Sequence, residues 1–346
     1  MIRFNNDYNK GAHPEVLNAL IRHNDESYPG YGLDPWCEKA AGMIRDCIGR
    51  PDADVHFLPG GTVSNVTVIA AALRPYESVL AADTGHIHVH ETGAVEHTGH
   101  KIELLKSKDG KISAQQIAEA ADGFNESIVK EHITEPKMVY ISFPTEYGTV
   151  YTKKELEDIS SVCREKGIYL YIDGARMGYG VGAYDGTVSI EDIARLADVF
   201  YIGGTKCGAL FGEAVVICND ELKKSFRSSI KQNGAMTAKG WLIGLQFCAL
   251  MENGLYFEIT KKAVQQAIRL RNAFAEKGIP FYMVSPTNQQ FVLLTEEQAE
   301  KLSEKYFYEF EFKTNTGYSC VRFCTSWATT DEEVDELIAD IALLDD

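Results

Sequence analysis

Four short stretches carry residues whose types and spacing suit chemistry. In Tyr201-Ile202-Gly203-Gly204-Thr205-Lys206-Cys207-Gly208-Ala209-Leu210, one lysine sits among small residues after a strand-like run. Little bulk and apolar flanks lower an amine's pKa and ready it for a carbonyl. A surface lysine in a flexible turn is the plainer alternative. In Tyr169-Leu170-Tyr171-Ile172-Asp173-Gly174-Ala175-Arg176, a carboxylate ends a strand-like run. Parallel α/β sheets place ligand-facing groups at that end. Arg176, three residues on, could face the same site; an Asp capping a turn and an exposed Arg are the alternative. Pro59-Gly60-Gly61-Thr62-Val63-Ser64-Asn65 is a strand-to-helix turn. Glycines admit a ligand close to the backbone, and helix-start N–H groups suit a phosphate. Thr62 and Asn65 could add side-chain hydrogen bonds; a tight turn capped by Thr62 is the alternative. Asp83 to Glu91 spaces His86, His88 and His90 two apart. An imidazole there could stack on a ring or carry a proton. On a strand the outer two would lie roughly 13 Å apart, too far to share one ion, although two of the three could still share one, and stacking is the favoured role. No metal site is expected, and His88 and His90 read as structural or exposed.

The order of these features matters more than any one. A glycine turn, a histidine, Asp-x-x-Arg and a lysine follow one another on successive strand ends. Together they suit pyridoxal phosphate: a lysine to form a Schiff base, a carboxylate to keep the pyridine nitrogen protonated, and backbone donors for the phosphate.

The elements that must position them follow from periodicity. Apolar spacing predicts helices over His13–His23, Pro35–Ile48, Asn65–Leu73 and Lys153–Lys166, the last closed by Gly167. Short strands are expected at Val55–Leu58, Val79–Ala81, Lys137–Phe143, Ile168–Ile172, Val199–Ile202 and Ala214–Cys218. Helices between such strands argue for an α/β fold with a mainly parallel sheet. The style changes near Ala249. A long helix at Gly254–Lys277, four more strand-like runs and a helix at Asp331–Leu344 after Thr329-Thr330 predict a smaller α+β unit. The expected division is a large domain over 1–250 and a small one over 251–346.

The chain has 346 residues and a formal net charge of −16. Such acidity repels phosphate backbones, so nucleic acid is not an expected partner. Met1–Asn9 lacks a basic stretch followed by an apolar core, and no long apolar run is present. We therefore expect a cytoplasmic protein that does not enter a membrane, with its 8 cysteines reduced. Cys207, beside Lys206, reads as a small buried hydrophobe rather than a reactive thiol.

Along nearly its whole length the chain resembles the threonine aldolases (low-specificity L-threonine aldolase / aromatic amino acid β-eliminating lyase family). The resemblance rests on Gly11-Ala12-His13-Pro14, Tyr31-Gly32-Leu33-Asp34-Pro35, Phe57 to Asn65, His86 to Glu91, Asp173 to Arg176, Gly203 to Gly212 and Arg322. It implies the aspartate-aminotransferase-like, fold type I architecture with a mainly parallel seven-stranded sheet. It implies pyridoxal phosphate held by Lys206, with Gly61, Thr62 and Asn65 at the phosphate. His86 would stack on the ring and serve as candidate base, Asp173 would hold the ring nitrogen, and Arg176 the ring hydroxyl side. Arg322 would grip the substrate carboxylate, with Asn6 and Tyr31 also near substrate, Tyr31 in a neighbouring subunit's site. The implied activity is aldol cleavage of L-threonine or L-allo-threonine to glycine and an aldehyde, by a homotetramer built as a dimer of dimers. Two departures stand out. Asn6-Asp7-Tyr8 replaces the usual Ser-Asp-Thr, and Pro144-Thr145-Glu146-Tyr147 replaces a segment where many members carry a histidine. Where the family lends an arginine to a partner's phosphate, Lys231 is the nearest candidate. β-Elimination or transamination on the same fold, and a non-catalytic binding or scaffold protein, are the rival readings.

Overall fold

The computed structural model describes residues 1–345. Its strands, in chain order, are β1 (Ile2–Arg3), β2 (Asp54–Leu58), β3 (Glu77–Ala82), β4 (Lys101–Leu105), β5 (Glu135–Ser142), β6 (Tyr169–Asp173), β7 (Val199–Gly203), β8 (Glu213–Ile217), β9 (Phe281–Met283), β10 (Gln289–Leu294), β11 (Tyr306–Phe307), β12 (Glu309–Lys313) and β13 (Ser319–Cys324). Seven form the central sheet in the order β2-β8-β7-β6-β5-β3-β4. β8 runs antiparallel to both its neighbours, and the other pairings are parallel.

The sheet is buried on both faces, which is why its strands read as nearly continuous apolar runs. Side chains alternate between faces. Leu170, Ile172, Phe200, Ile202, Ala214 and Val216 enter one core. Tyr171, Val199, Tyr201, Val215 and Ile217 enter the other, together with Tyr140. The helices were legible through their ends. Pro35–Ile48 starts on Asp34, whose side chain accepts from the Cys37 N–H, and stops at left-handed Gly49. Lys153–Lys166 opens with a capping box between Thr152 and Glu155.

The smaller sheet has the order β12-β13-β10-β9 and is antiparallel. The helix Leu255–Glu276 leads into it, and the helix Asp331–Ala342, capped by Thr330, packs beside that helix. The first residues of the chain also join this unit. β1 pairs in parallel with β11, and Phe4 lies in the core of the C-terminal part. A linear division at residue 250 does not include that pairing. Two local expectations are corrected. The helix expected from Asn65 starts at Gly61. The His86–His90 stretch is a single helical turn, His86–Val89, rather than a strand. Gly85 precedes it and its N–H bonds back to Ala82, which turns the chain out of β3 before extension can continue. His86 and His90 therefore lie one turn apart, ring centroids 5.4 Å from each other.

Candidate active site

The ends of β5, β6 and β7 open on a cleft of about 350 Å³. Gly61, Thr62, Asn65, His86, Asp173, Arg176 and Lys206 all line it. Two glycines let the Asp173 and Lys206 segments meet. A Cβ on Gly174 would overlap the Tyr201 carbonyl oxygen, and one on Gly203 would overlap that of Ala175. In their place, the Gly203 N–H donates to the Gly174 carbonyl at 2.9 Å.

Asp173 is 4% exposed and meets four donors. Its Oδ1 accepts from the Tyr201 hydroxyl at 2.5 Å and the Ala175 N–H at 3.0 Å. Its Oδ2 accepts from the Tyr140 hydroxyl at 2.6 Å and the Asn65 amide at 3.1 Å. Burial, then the Asp173 charge, pushes the Tyr140 and Tyr201 hydroxyls far above their ordinary range, so they stay donors.

Lys206 is partly buried, with its nitrogen 5.9 Å from the centre of the Tyr8 ring. Burial, then repulsion from Arg176, lowers its pKa against the opposing pull of Asp7, Asp173 and Glu213. An amine so placed reaches the neutral, nucleophilic form more readily. Glu213 holds the lysine's segment. It accepts from the Gly204 N–H at 2.8 Å and the Thr205 hydroxyl at 2.7 Å, and burial raises its pKa to about 7. Cys207 is buried, and its thiol is pushed up to about 12, chiefly by burial. That fits the expectation of an inert residue.

The helix Gly61–Ala72 presents its N-terminus to the cleft without a side-chain cap. Its first N–H groups are left as donors for an anion. Asn65 lies deeper than the phosphate role requires. Its amide donates to Asp173 and, at 2.7 Å, to Glu91, while its carbonyl oxygen accepts from the Tyr171 hydroxyl at 2.7 Å. The same Glu91 oxygen lies 2.8 Å from His86 Nδ1, and the Glu91 side chain is wholly shielded. That carboxylate fixes the imidazole's orientation.

The other expected residues are arranged differently. Arg176 points at Asp7, which sequence reasoning noted only as part of a departure from the family pattern. Arg322 is on β13, outside the cleft lining. Its terminal nitrogens reach Gln289 Oε1 and the Asn5 carbonyl at 3.4 Å each, and its Nε faces Glu311 at 3.5 Å. Asn6 accepts from the Tyr8 N–H and also lies outside the lining. Tyr31 lines a second cavity, of about 330 Å³, with Arg227; Lys231 sits over its ring at 4.8 Å. Sequence reasoning missed Glu146 and Glu213 as site residues, and the tyrosines around Asp173. The tyrosines had a signal. Tyr171 and Asp173 are two apart on one strand, so they share a face, and Tyr140 pairs with Tyr171 in register.

These parts fit pyridoxal phosphate. A partly buried lysine, a carboxylate met by four donors and an uncapped helix start line one cleft of about 350 Å³. Among the described residues, no helix is long and apolar enough to cross a membrane.

Comparison with known proteins agrees with this arrangement. The β-eliminating lyase family model matches residues 14–297. The chain is 31% identical over 343 residues to a low specificity L-threonine aldolase of a Pseudomonas species, covering 98% of this chain and 96% of that one. A solved threonine aldolase of Leishmania major superposes with a TM-score of 0.96 at 43% identity, covering 99% of both chains. An aspartate aminotransferase of Thermus thermophilus shares the fold alone, with a TM-score of 0.71 at 17% identity, covering 99% of this chain and 91% of that one. The match along most of the chain, on a fold that brings the lysine, the aspartate and the helix start to one cleft, places this chain in the β-eliminating lyase family.

Proposed function

We propose that this cleft, with pyridoxal phosphate bound, cleaves the Cα–Cβ bond of L-threonine, L-allo-threonine and related β-hydroxy-α-amino acids to glycine and an aldehyde. The observation that carries this reading is the convergence of Lys206, Asp173 and the Gly61 helix start on one space, in a chain so similar to threonine aldolases.

Lys206 would hold the cofactor covalently, Asp173 its ring nitrogen, and the Gly61-Thr62 N–H groups its phosphate. When bound, the cofactor supplies an electron sink for the pair left on Cα. The protein does the rest. Asp173, held by four donors, would meet the ring nitrogen. Glu91 fixes the His86 imidazole, which would lie against the ring. Arg322, loosely held, offers donors to the substrate carboxylate, which sets the bond that breaks. Positioning of this kind supplies much of an enzyme's rate.

In the same reading the enzyme is a cytoplasmic homotetramer, a dimer of dimers with shared sites. Tyr31 and Lys231 lie together away from their own cleft, which suits residues lent to a neighbour. The two-domain division, large unit then small unit, belongs to the same proposal.

The test is one cuvette. The visible spectrum of the purified protein is recorded before and after L-threonine, with acetaldehyde assayed alongside. A visible band that responds to threonine while acetaldehyde appears is the expected result. A band with pyruvate and ammonia instead would replace cleavage by β-elimination. No band after added pyridoxal phosphate would remove the reading altogether.

A further inference from the structure

Aldol cleavage needs a group to take the β-hydroxyl proton, and four carboxyls besides the substrate's own surround the cleft. Three are committed. Each Asp173 oxygen already accepts two hydrogen bonds, and Asp173 is the group assigned to the ring nitrogen. Glu91 spends one oxygen on Asn65 and His86, and its other oxygen is sealed from solvent without a partner. Glu213 spends both oxygens on the segment that carries Lys206.

Glu146 is different. It follows β5 on the rim of the cleft, and its Oε1 accepts from the His86 N–H at 2.9 Å and the Ser142 hydroxyl at 2.6 Å. The side chain is anchored through Oε1 and lines the cleft, and its Oε2 is not among the sealed, unpaired atoms of the described residues. Burial first, then the nearby Asp173 charge, raises its pKa, so it holds a proton more readily than an ordinary glutamate. His86 is the obvious competitor. Its Nδ1 is held by Glu91, which is itself shielded.

We propose that Glu146 is the acid–base residue of carbon–carbon cleavage. This rests on the aldolase reading above. The β-hydroxyl O–H bond breaks and its proton passes to Glu146 Oε2. The oxygen's pair forms the aldehyde C=O bond as the Cα–Cβ bond breaks. The Cα–Cβ pair stays with Cα, where the cofactor, when bound, would supply the electron sink. Cα then takes one proton to give glycine, and Glu146 returns its own to solvent, so the sum is amino acid to glycine plus aldehyde. In synthesis the same carboxyl donates to the aldehyde oxygen.

The test uses the holoenzyme and two variants. Glycine has no β-hydroxyl, so its binding, read from the visible spectrum, and its α-proton exchange in deuterated water do not need this base. Glu146→Gln is expected to cut acetaldehyde release from threonine by at least about 100-fold. It is expected to leave the glycine-dependent spectral change and the exchange rate near wild type. Wild-type aldehyde release in Glu146→Gln overturns the proposal. Loss of glycine binding and exchange along with cleavage also overturns it, leaving Glu146 a structural residue. If Glu146→Gln does not fold, Glu146→Asp decides. A shortened carboxylate is expected to slow cleavage by about tenfold with both glycine readouts intact, and an unchanged cleavage rate overturns the proposal. Failure of the wild type itself to release aldehyde would instead sink the aldolase reading.

Discussion

Arg176 and Asp7 form a buried bidentate ion pair: Nε lies 2.6 Å from Oδ2, and the Nη2 donor 3.0 Å from Oδ1. The pair ties the N-terminal segment to the loop after β6. Asn288 donates to the same Asp7 oxygen at 3.0 Å, so the C-terminal unit is tied in as well. Burial alone would push the Asp7 carboxyl up. The Arg176 and Lys206 charges and the hydrogen bonds outweigh it and hold the group at about 2.

The first prediction concerns that pair. Asp7→Asn strands a guanidinium inside the protein and is expected to cost about 3–5 kcal/mol, read from the thermal midpoint. The sign with pH is fixed by the depressed value. The contribution is present above the unfolded pKa of about 3.9 and is lost as pH falls through about 2. An acid titration of wild type against Asp7→Asn should therefore converge at the low end. Equal midpoints at neutral pH would mean the pair contributes nothing.

Lys206→Ala is expected to remove the visible band of the cofactor-bound protein together with turnover, leaving the fold intact by circular dichroism. A variant that kept its activity would show that another amine holds the cofactor.

Asn65 separates two roles. Its amide bonds Asp173 and Glu91, so Asn65→Ala should weaken the ring-nitrogen end of the site. Loss of a buried hydrogen-bond partner of this kind costs about 1–3 kcal/mol. Dissociation constants for pyridoxal phosphate and for pyridoxal should rise by a similar factor. A loss confined to the phosphorylated form would return Asn65 to the phosphate.

Arg322 makes only long contacts at 3.4–3.5 Å, so much of its donor capacity is unspent. Arg322→Ala should raise KM for threonine and Kd for glycine alike, by at least about tenfold, because both carry the same carboxylate. An effect on threonine alone would move Arg322 away from that carboxylate.

His56 provides a pH prediction away from the cleft. Its ring packs on Phe226 with centroids 5.1 Å apart, its Nε2 has no partner, and burial lowers its pKa to about 4. The folded state prefers the neutral ring. Its contribution is present above the unfolded pKa of about 6.5 and is lost as pH falls through about 4. Allowing for partial solvent contact, the loss is on the order of 1–2 kcal/mol. His56→Phe should flatten the fall of the thermal midpoint across that window. Parallel curves for variant and wild type would refute it.

The linear sequence determined what depends on a few neighbouring residues. Caps and apolar spacing marked Pro35–Ile48 and Lys153–Lys166 to the residue, and unbroken β-branched and aromatic runs marked the central strands. It also named the lysine, the aspartate and the glycine turn, because each sits at an element's end, where local composition changes. The tertiary structure decided the rest. That β8 runs against its neighbours depends on pairing between strands, which a strand's own residues do not encode. The helical turn at His86 replaced an alternation that would suit a strand, because the chain must leave β3 at Gly85. Asp7 meeting Arg176 across 169 residues, and Glu91, Glu146 and Glu213 facing one cleft, follow from tertiary packing of segments far apart in sequence. Side-chain contacts over such separations carry no periodic signal. The sequence therefore names which groups can do chemistry, and the fold sets which of them touch.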